Sequence, residues 1–405
     1  MPIELAAHTQ AGARLVAVAE ELSQELACRA AEHDRVGTYA FEAIDALKAA
    51  GYFTAPVPVE LGGLGVSSAH DLVVASSRLA RGDASVAIGA NMHLVAVLNM
   101  ERRREVAVAA GAERRARGFA SSLEQIARDG VVLAAAISER GQDLTRPGTV
   151  ATRTESGWRI DGRKMFATMS PAATDLYVAV TYADREGTER YAYAMVPADA
   201  PGVVVHDDWD ALGMRASGSN SISLDNVRLP ESGVRGGFRA GDPVPYIERN
   251  LVAGLFHAAA SLGIAESADQ IARRGIAGRI NGDARPRMQV ADNTVDLAAS
   301  RGILSRAAML IDKHRAANPA SDGTAEELEG LFAEAQAAKA FVNEAAARIV
   351  DRALALSGGA GYVSGSPLAR AYRDAKAGSF MHPLGANRAY DYLAHVALGE
   401  ETALH

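Results

Sequence analysis

The sequence predicts an α+β chain laid out in three consecutive blocks: helical, then β-rich, then helical again. Three observations carry this. Apolar residues recur at helical spacing from about residue 10 to 125, interrupted only by short Gly and Pro segments. From about 126 to 235 the runs DLYVAVTYA, RYAYAMVPA, GVVVHDD and NSISLDNVRLP alternate Tyr, Val and Ile with polar residues, and Gly and Pro mark the turns. From Tyr246 onward the pattern is helical again, in long Ala-rich segments. The blocks give domains at 1–125, 126–235 and 236–405. This order is not a βαβ alternation, and no G-x-G-x-x-G follows a strand, which argues against a Rossmann domain.

In the first block, residues 10–50 read as two amphipathic helices, with Gly51 as the stop. The stretch APVPVELGGLG at 55–65 is too rich in Pro and Gly to be helical throughout. It is a poor phosphate loop, since no strand precedes it and no Gly-Lys-Ser/Thr follows. Residues 70–81 and 85–99 make two more helices, broken at Gly82-Asp83. In the β block, an apolar run at 131–137 leads into Ser138-Glu139 and a loop rich in Gly and Arg. Two strand-like runs, 149–154 and 158–160, flank Glu155-Ser156-Gly157, a tight hairpin turn. The second run feeds Gly162-Arg163-Lys164-Met165-Phe166-Ala167-Thr168, an edge that presents hydroxyls and backbone N–H groups. In the last block, 318–323 reads as a loop between antiparallel helices, and a glycine-punctuated segment at 357–362 precedes the final helical stretch.

At 405 residues the chain can bury a large core. A net charge of −7 without a basic stripe predicts no nucleic-acid partner. One cysteine, Cys28, precludes an intrachain disulfide and suits a reducing compartment. The polar N-terminus lacks a signal-peptide core, and no run approaches eighteen apolar residues, so no membrane association and a cytoplasmic location are expected. No metal centre is expected.

The stretch 138–168 resembles the acyl-CoA dehydrogenase superfamily, which carries a Thr/Ser-Glu pair, a Gly-rich loop and a G-x-K-x-[WF]-x-[TS] strand against its flavin. Gly213-Met-Arg-Ala-Ser, followed by a strand, an acidic residue, Val and Pro230, is similar to a second motif of the family. Gly358-Gly-Ala-Gly-Tyr362 with Pro367-Leu-Ala-Arg-Ala-Tyr-Arg-Asp374 resembles a third, GG-x-GY followed by P-x-x-R-x-x-RD. The resemblance covers most of the chain. It implies an N-terminal helical domain, a middle β-barrel and a C-terminal four-helix bundle, assembled as a homo-oligomer, commonly a homotetramer. It also implies FAD or FMN near domain and subunit boundaries. Ser138, Phe166 and Thr168 would lie against the flavin ring, and Arg215 and Ser217 where flavin and substrate meet. Gly358 and Gly359 would approach the pyrophosphate of a neighbouring subunit's flavin, and Arg279 a phosphate across the interface.

The resemblance leaves two reactions. A dehydrogenase of this family needs a carboxylate to take the α-proton of a thioester. Its commonest position falls near Ala386, and no Asp or Glu occurs between Asp374 and Asp391. The alternative position, on the first helix of the last block, is occupied by Glu248, immediately before Arg249. Met381-His382-Pro383, the segment Gly213-Met-Arg-Ala-Ser-Gly-Ser219, and His93 in Asn91-Met-His-Leu are instead similar to the flavin monooxygenases that share the fold. There a neutral imidazole can hydrogen-bond beside the flavin, or act as general base on a substrate hydroxyl or amine. The favoured expectation is a two-component monooxygenase that N- or C-hydroxylates a small organic substrate, with a separate flavin reductase supplying reduced flavin. The alternative is an acyl-CoA dehydrogenase with Glu248 as base, passing electrons to an electron-transfer flavoprotein. A non-catalytic relative fits poorly with Ser138, Thr168 and Arg215 standing at motif positions.

Overall fold

The computed structural model describes residues 4–141, 143–277, 284–402 and 404. The first block holds α1 (Gln10–Ala27), α2 (Ala30–Val36), α3 (Phe41–Ala49), α4 (Ala69–Ala80), α5 (Ala84–Ala109) and α6 (Glu113–Asp129). Residues 10–50 therefore form three helices where periodicity suggested two. The chain breaks at Cys28-Arg29, and α2 ends at Gly37, whose φ of 75° is left-handed. Thr9 caps α1 by accepting from the Gly12 N–H, and the Asp71 carboxylate on α4 accepts from the N–H groups of His8 and Thr9. The Gly82-Asp83 break is itself a cap, with the Asp83 carboxylate accepting from the N–H groups of Ser85 and Val86. Pro- and Gly-rich 55–65 makes only a short 3₁₀ turn, Val59–Leu61.

The middle block is one sheet of β1 (Leu133–Ala136), β2 (Val150–Thr154), β3 (Gly157–Ala167), β4 (Asp175–Ala183), β5 (Glu189–Pro197), β6 (Val203–Val205), β7 (Asn220–Leu229) and β8 (Val234–Arg239). The strand order is β6-β7-β3-β2-β4-β5-β8, with β1 parallel to β4. The expected hairpin is β2–β3, closed by the Thr154–Gly157 pair. Gly157 is required there, because a Cβ would stand 2.2 Å from the Leu229 carbonyl. Trp158, Ile160, Val178, Val180, Ile222 and Val227 form this domain's own core.

The last block comprises α7 (Pro243–Asn250), α8 (Ala253–Ile276), α9 (Ala284–Ala317), α10 (Ala325–Ser357), α11 (Gly359–Tyr362), α12 (Pro367–Ala377) and α13 (Ala386–Leu398). Thr324 and Glu327 close a reciprocal capping box where the predicted loop ends and α10 begins. The segment Pro243–Ile276 does reach the length and hydropathy of a membrane span, contrary to the sequence expectation. Its most apolar window is 94% buried in protein, because α8 is the central helix of the bundle, packed on α4, α5, α9 and α10. Gly263 lets α8 approach α4 closely, since a Cβ there would lie 2.4 Å from the Ser77 carbonyl. One apolar core runs from α1 and α4 through α8 to α10. The helices of the first and last blocks are thereby locked together, with the sheet beside them.

Candidate active site

A cavity of about 1040 Å³ opens where helices α5, α6, α7 and α8 meet strands β1, β5 and β8. Met92, Val95 and Ala96 from α5, Phe119 from α6, and Tyr177 and Tyr193 from the sheet give it a mostly apolar wall. Among the expected site residues, Ser138, Phe166 and His382 line it.

His382 lies in the turn between α12 and α13. Its Nε2 stands 3.0 Å from Asn250 Oδ1, a pure acceptor, so Nε2 carries the proton and Nδ1 keeps the lone pair. Tyr246 Oη is 3.2 Å from the same nitrogen and donates to the Pro383 carbonyl at 3.1 Å. Burial, reinforced by the charges of Lys339 and Arg388, pushes the His382 pKa down to about 3, so the ring is neutral at physiological pH.

His93 is placed differently. It is fully buried on α5, with Nε2 donating to the Phe53 carbonyl at 3.0 Å and Nδ1 accepting from the Leu133 N–H at 3.0 Å. Both nitrogens are spent on backbone, and burial drives its pKa down to about 4. The expectation of a catalytic His93 is therefore corrected: the ring is a strut joining the first block to β1.

Glu248 is also corrected. Its carboxylate pairs with Arg103 at 2.9 Å, and it is not among the residues that line the cavity. Arg215 donates through Nε to the Asp34 carbonyl at 2.7 Å and pairs with Asp210 at 3.2 Å. The guanidinium thus fastens the 210–217 turn to the end of α2 and does not reach the cavity wall. Gly358 and Gly359 are exposed at the end of α10 with open space around each. Arg279 lies outside the described residues.

The edge of the cavity suits a planar aromatic cofactor. Phe166 is 57% exposed and held at a left-handed φ of 56°, a strained backbone for a bulky residue, with its ring edge-on to Trp209. Beside it the hydroxyls of Ser217, Ser219 and Thr168 form a chain with spacings of 2.7 and 2.9 Å. An exposed ring, a row of hydroxyls and Ser138 at one lip fit an isoalloxazine's faces and polar edge. Glu139 is occupied otherwise: it accepts from the N–H groups of Gly148 and Thr149 and pairs with buried Lys164.

The structure adds residues that the sequence did not single out. Asn250 orients His382, and His257, on the α8 wall, is 4% exposed with neither ring nitrogen hydrogen-bonded among the described residues. Arg249 is 5% exposed, its guanidinium lying 4.0 Å from the Phe238 ring centre and 4.9 Å from that of Tyr193. Among the described residues its Nη1 alone is hydrogen-bonded, to the Pro245 carbonyl, while Nε and Nη2 have no hydrogen-bond partner. The one sequence signal for His257 was a lone imidazole in an otherwise apolar helix, and such a residue is usually mere packing. Five arginines line the cavity (Arg103, Arg114, Arg115, Arg235 and Arg249) against one lining carboxylate, Glu113; with Arg103 paired to Glu248 behind the wall, a positive excess remains in a chain of net charge −7.

Known proteins similar to this chain belong to one family. The N-terminal, middle and C-terminal domain models of acyl-CoA dehydrogenases match residues 13–102, 134–227 and 244–387. The chain is 33% identical to the amino sugar nitrososynthase DnmZ of Streptomyces peucetius, over 96% of itself and 94% of that protein. It is 35% identical to an L-evernosamine nitrososynthase of a Micromonospora species, over 96% and 91%. Among solved structures, KijD3 in complex with FMN and dTDP-3-amino-2,3,6-trideoxy-4-keto-3-methyl-D-glucose superposes with a TM-score of 0.89 at 32% identity. That superposition covers 98% of this chain and 96% of the other.

Proposed function

The chain belongs to the acyl-CoA dehydrogenase family and is a flavin-dependent oxidoreductase, and from that premise we propose that it is an N-oxygenase acting on the amine of a small organic substrate. An amino sugar borne on a nucleoside diphosphate is the substrate class its relatives suggest. The observation that carries this reading is the cavity wall, which offers neutral imidazoles and arginines and no buried carboxylate to take an α-proton. Glu248, the remaining candidate base, is held by Arg103.

Bound reduced flavin supplies two electrons to O₂, so that one oxygen atom enters the N–H bond and the other leaves as water. Phe166, Thr168 and Ser138 would hold the ring at the lip of the cavity. The chain's own task is to present a neutral amine, since an ammonium has no lone pair to oxidise. Arg249, and Lys339 behind His382, disfavour a second positive charge inside and lower the amine's pKa. His382, fixed by Asn250, accepts a hydrogen bond from the amine through Nδ1, and His257 offers a second neutral imidazole. Arg114, Arg115 and Arg235 suit the phosphates of a nucleotide-linked sugar. In this reading a separate reductase delivers the flavin electrons, and the protein is a cytoplasmic homotetramer.

The test combines the protein with a flavin reductase, NADH, catalytic FMN or FAD, and the dTDP-linked amino sugar named above. A product heavier by one oxygen, labelled from isotopic O₂, is the expected result. Absence of any such product, together with anaerobic bleaching of the oxidised flavin by an acyl-CoA, would overturn the reading.

A further inference from the structure

Lys339 is a buried cation that the fold provides with no anion. It sits on α10, 2% exposed, and no carboxylate pairs with it among the described residues. Its ammonium donates instead to two backbone carbonyls, those of Met381 and, at 2.7 Å, Leu384. These carbonyls bracket His382 and Pro383. The stem passes Gly254 of α8, where a Cβ would stand 3.4 Å from Lys339 Cδ and 3.7 Å from Pro383 Cδ, ordinary contact distances that place helix, lysine and turn side by side.

The turn reaches the cavity through His382 alone among its residues. The imidazole is hydrogen-bonded from one side, by Asn250 and Tyr246 of α7. Those contacts orient the ring, and the Tyr246 hydroxyl also donates to the Pro383 carbonyl at 3.1 Å, but neither reaches the carbonyls of Met381 and Leu384. An ammonium has three donors and no acceptor, and a hydrogen bond from a charged donor to a carbonyl is stronger than one between neutral groups. An apolar residue at 339 would take this donor from both carbonyls, the Leu384 carbonyl in a buried setting, and a shorter neutral donor could not span them.

We propose that Lys339 is the positioning residue of the site: its ammonium clasps the carbonyls flanking His382-Pro383 and so fixes the imidazole on the cavity wall. Burial moves its pKa down to about 7, and while charged it also opposes protonation of His257 and His382. The proposal rests on the oxygenase reading only in treating His382 as a site residue; the clasp itself does not depend on it.

The test reads imidazole N–H protons by NMR in the full chain labelled with ¹⁵N-histidine. Among the described residues, His382 Nε2–H is held by Asn250, His93 Nε2–H by the Phe53 carbonyl and His70 Nδ1–H by the Asp71 carboxylate, and the last two, remote from the turn, serve as internal controls. In Lys339→Met the His382 signal is expected to vanish or shift while the His93 and His70 signals stay. Lys339→Arg, which keeps donors and charge, is expected to restore it in part. Product formation by Lys339→Met should fall by up to about a hundredfold in kcat with KM little changed, as for a misplaced group. An unchanged His382 signal in Lys339→Met would overturn the proposal. Loss of all three signals would mean a misfolded variant, and Lys339→Gln, with a milder truncation, is then judged by the same three signals. Failure of the oxygenase reading would look different: no product from the unmodified protein, with the NMR contrast intact.

Discussion

Two histidines of similar standing in the sequence have opposite fates in the structure. His93 spends both ring nitrogens on the backbone of Phe53 and Leu133, whereas His382 keeps Nδ1 and faces the cavity. Replacing His93 by Phe should cost about 1–3 kcal/mol for each backbone group it orphans. The loss would appear in chemical denaturation, while His382→Ala leaves stability nearer the original and lowers product formation roughly a hundredfold. Equal activity losses in the two variants would contradict this division. The same rings set a pH dependence. Folded, they titrate at about 4 and about 3; unfolded, each returns to an ordinary value of roughly 6.5. Below that value the unfolded chain binds more protons. Their contribution to stability is therefore complete above pH ~6.5 and is lost progressively as the pH falls toward 4 and 3. The Phe variant at 93 should show a shallower decline over pH 6.5–4, and an unchanged slope would refute the assignment. Glu248→Gln breaks a largely buried pair with Arg103 and should cost some stability, yet it should leave N-oxygenation within about threefold, since Glu248 does not line the cavity. Loss of all turnover in that variant would revive the dehydrogenase alternative.

Among the elements, α8 is decisive, because it packs on both helical blocks and carries the wall residues Ala253 and His257. Its closest approach to α4 is at Gly263, beside the Ser77 carbonyl. Gly263→Ala should force the helices apart, at about 1–3 kcal/mol, as overpacking does in cores. A thermal melt reads this directly, and an unshifted midpoint would show that the crossing can relax. The β2–β3 hairpin was legible in advance because Glu155-Ser156-Gly157 is a local signal, as were the break at Gly82-Asp83 and the α9–α10 loop, whereas the capping role of Asp83 appears only in the structure. The break between α1 and α2 was less so. Residues 10–36 keep an apolar stripe through Cys28-Arg29, and only the ends of the two helices reveal it.

For the whole molecule, charge is distributed against its average. A chain of net charge −7 gathers five arginines around one cavity, and Arg235 bridges β8 to Ser122 of α6 across its side. An anionic substrate would be drawn there, and the attraction should be screened by salt. Under the oxygenase reading, KM for the dTDP-linked amino sugar should rise between low and ~0.5 M salt. Arg114→Gln with Arg115→Gln should raise KM about tenfold at low salt and flatten that dependence, with kcat nearly unchanged. A salt-independent KM would remove the phosphate-binding role of the cavity rim.

Sequence alone determined the order of the blocks, the hairpin, the helix breaks at Gly51 and Gly82-Asp83, and the motif edge from Ser138 to Thr168. Each is written in neighbouring residues, through periodicity, turn chemistry or an ordered motif, and the family membership follows from the same local patterns. Which polar groups share a cavity was settled only by the tertiary structure. His257, Arg249, Asn250 and Lys339 come from three helices, and their meeting with the turn at His382 depends on how α7, α8 and α10 pack. Burial works in the same way: His93 and His382 acquire their depressed pKa values, and Glu248 its partner Arg103, from residues distant in the chain, which no spacing along the sequence encodes.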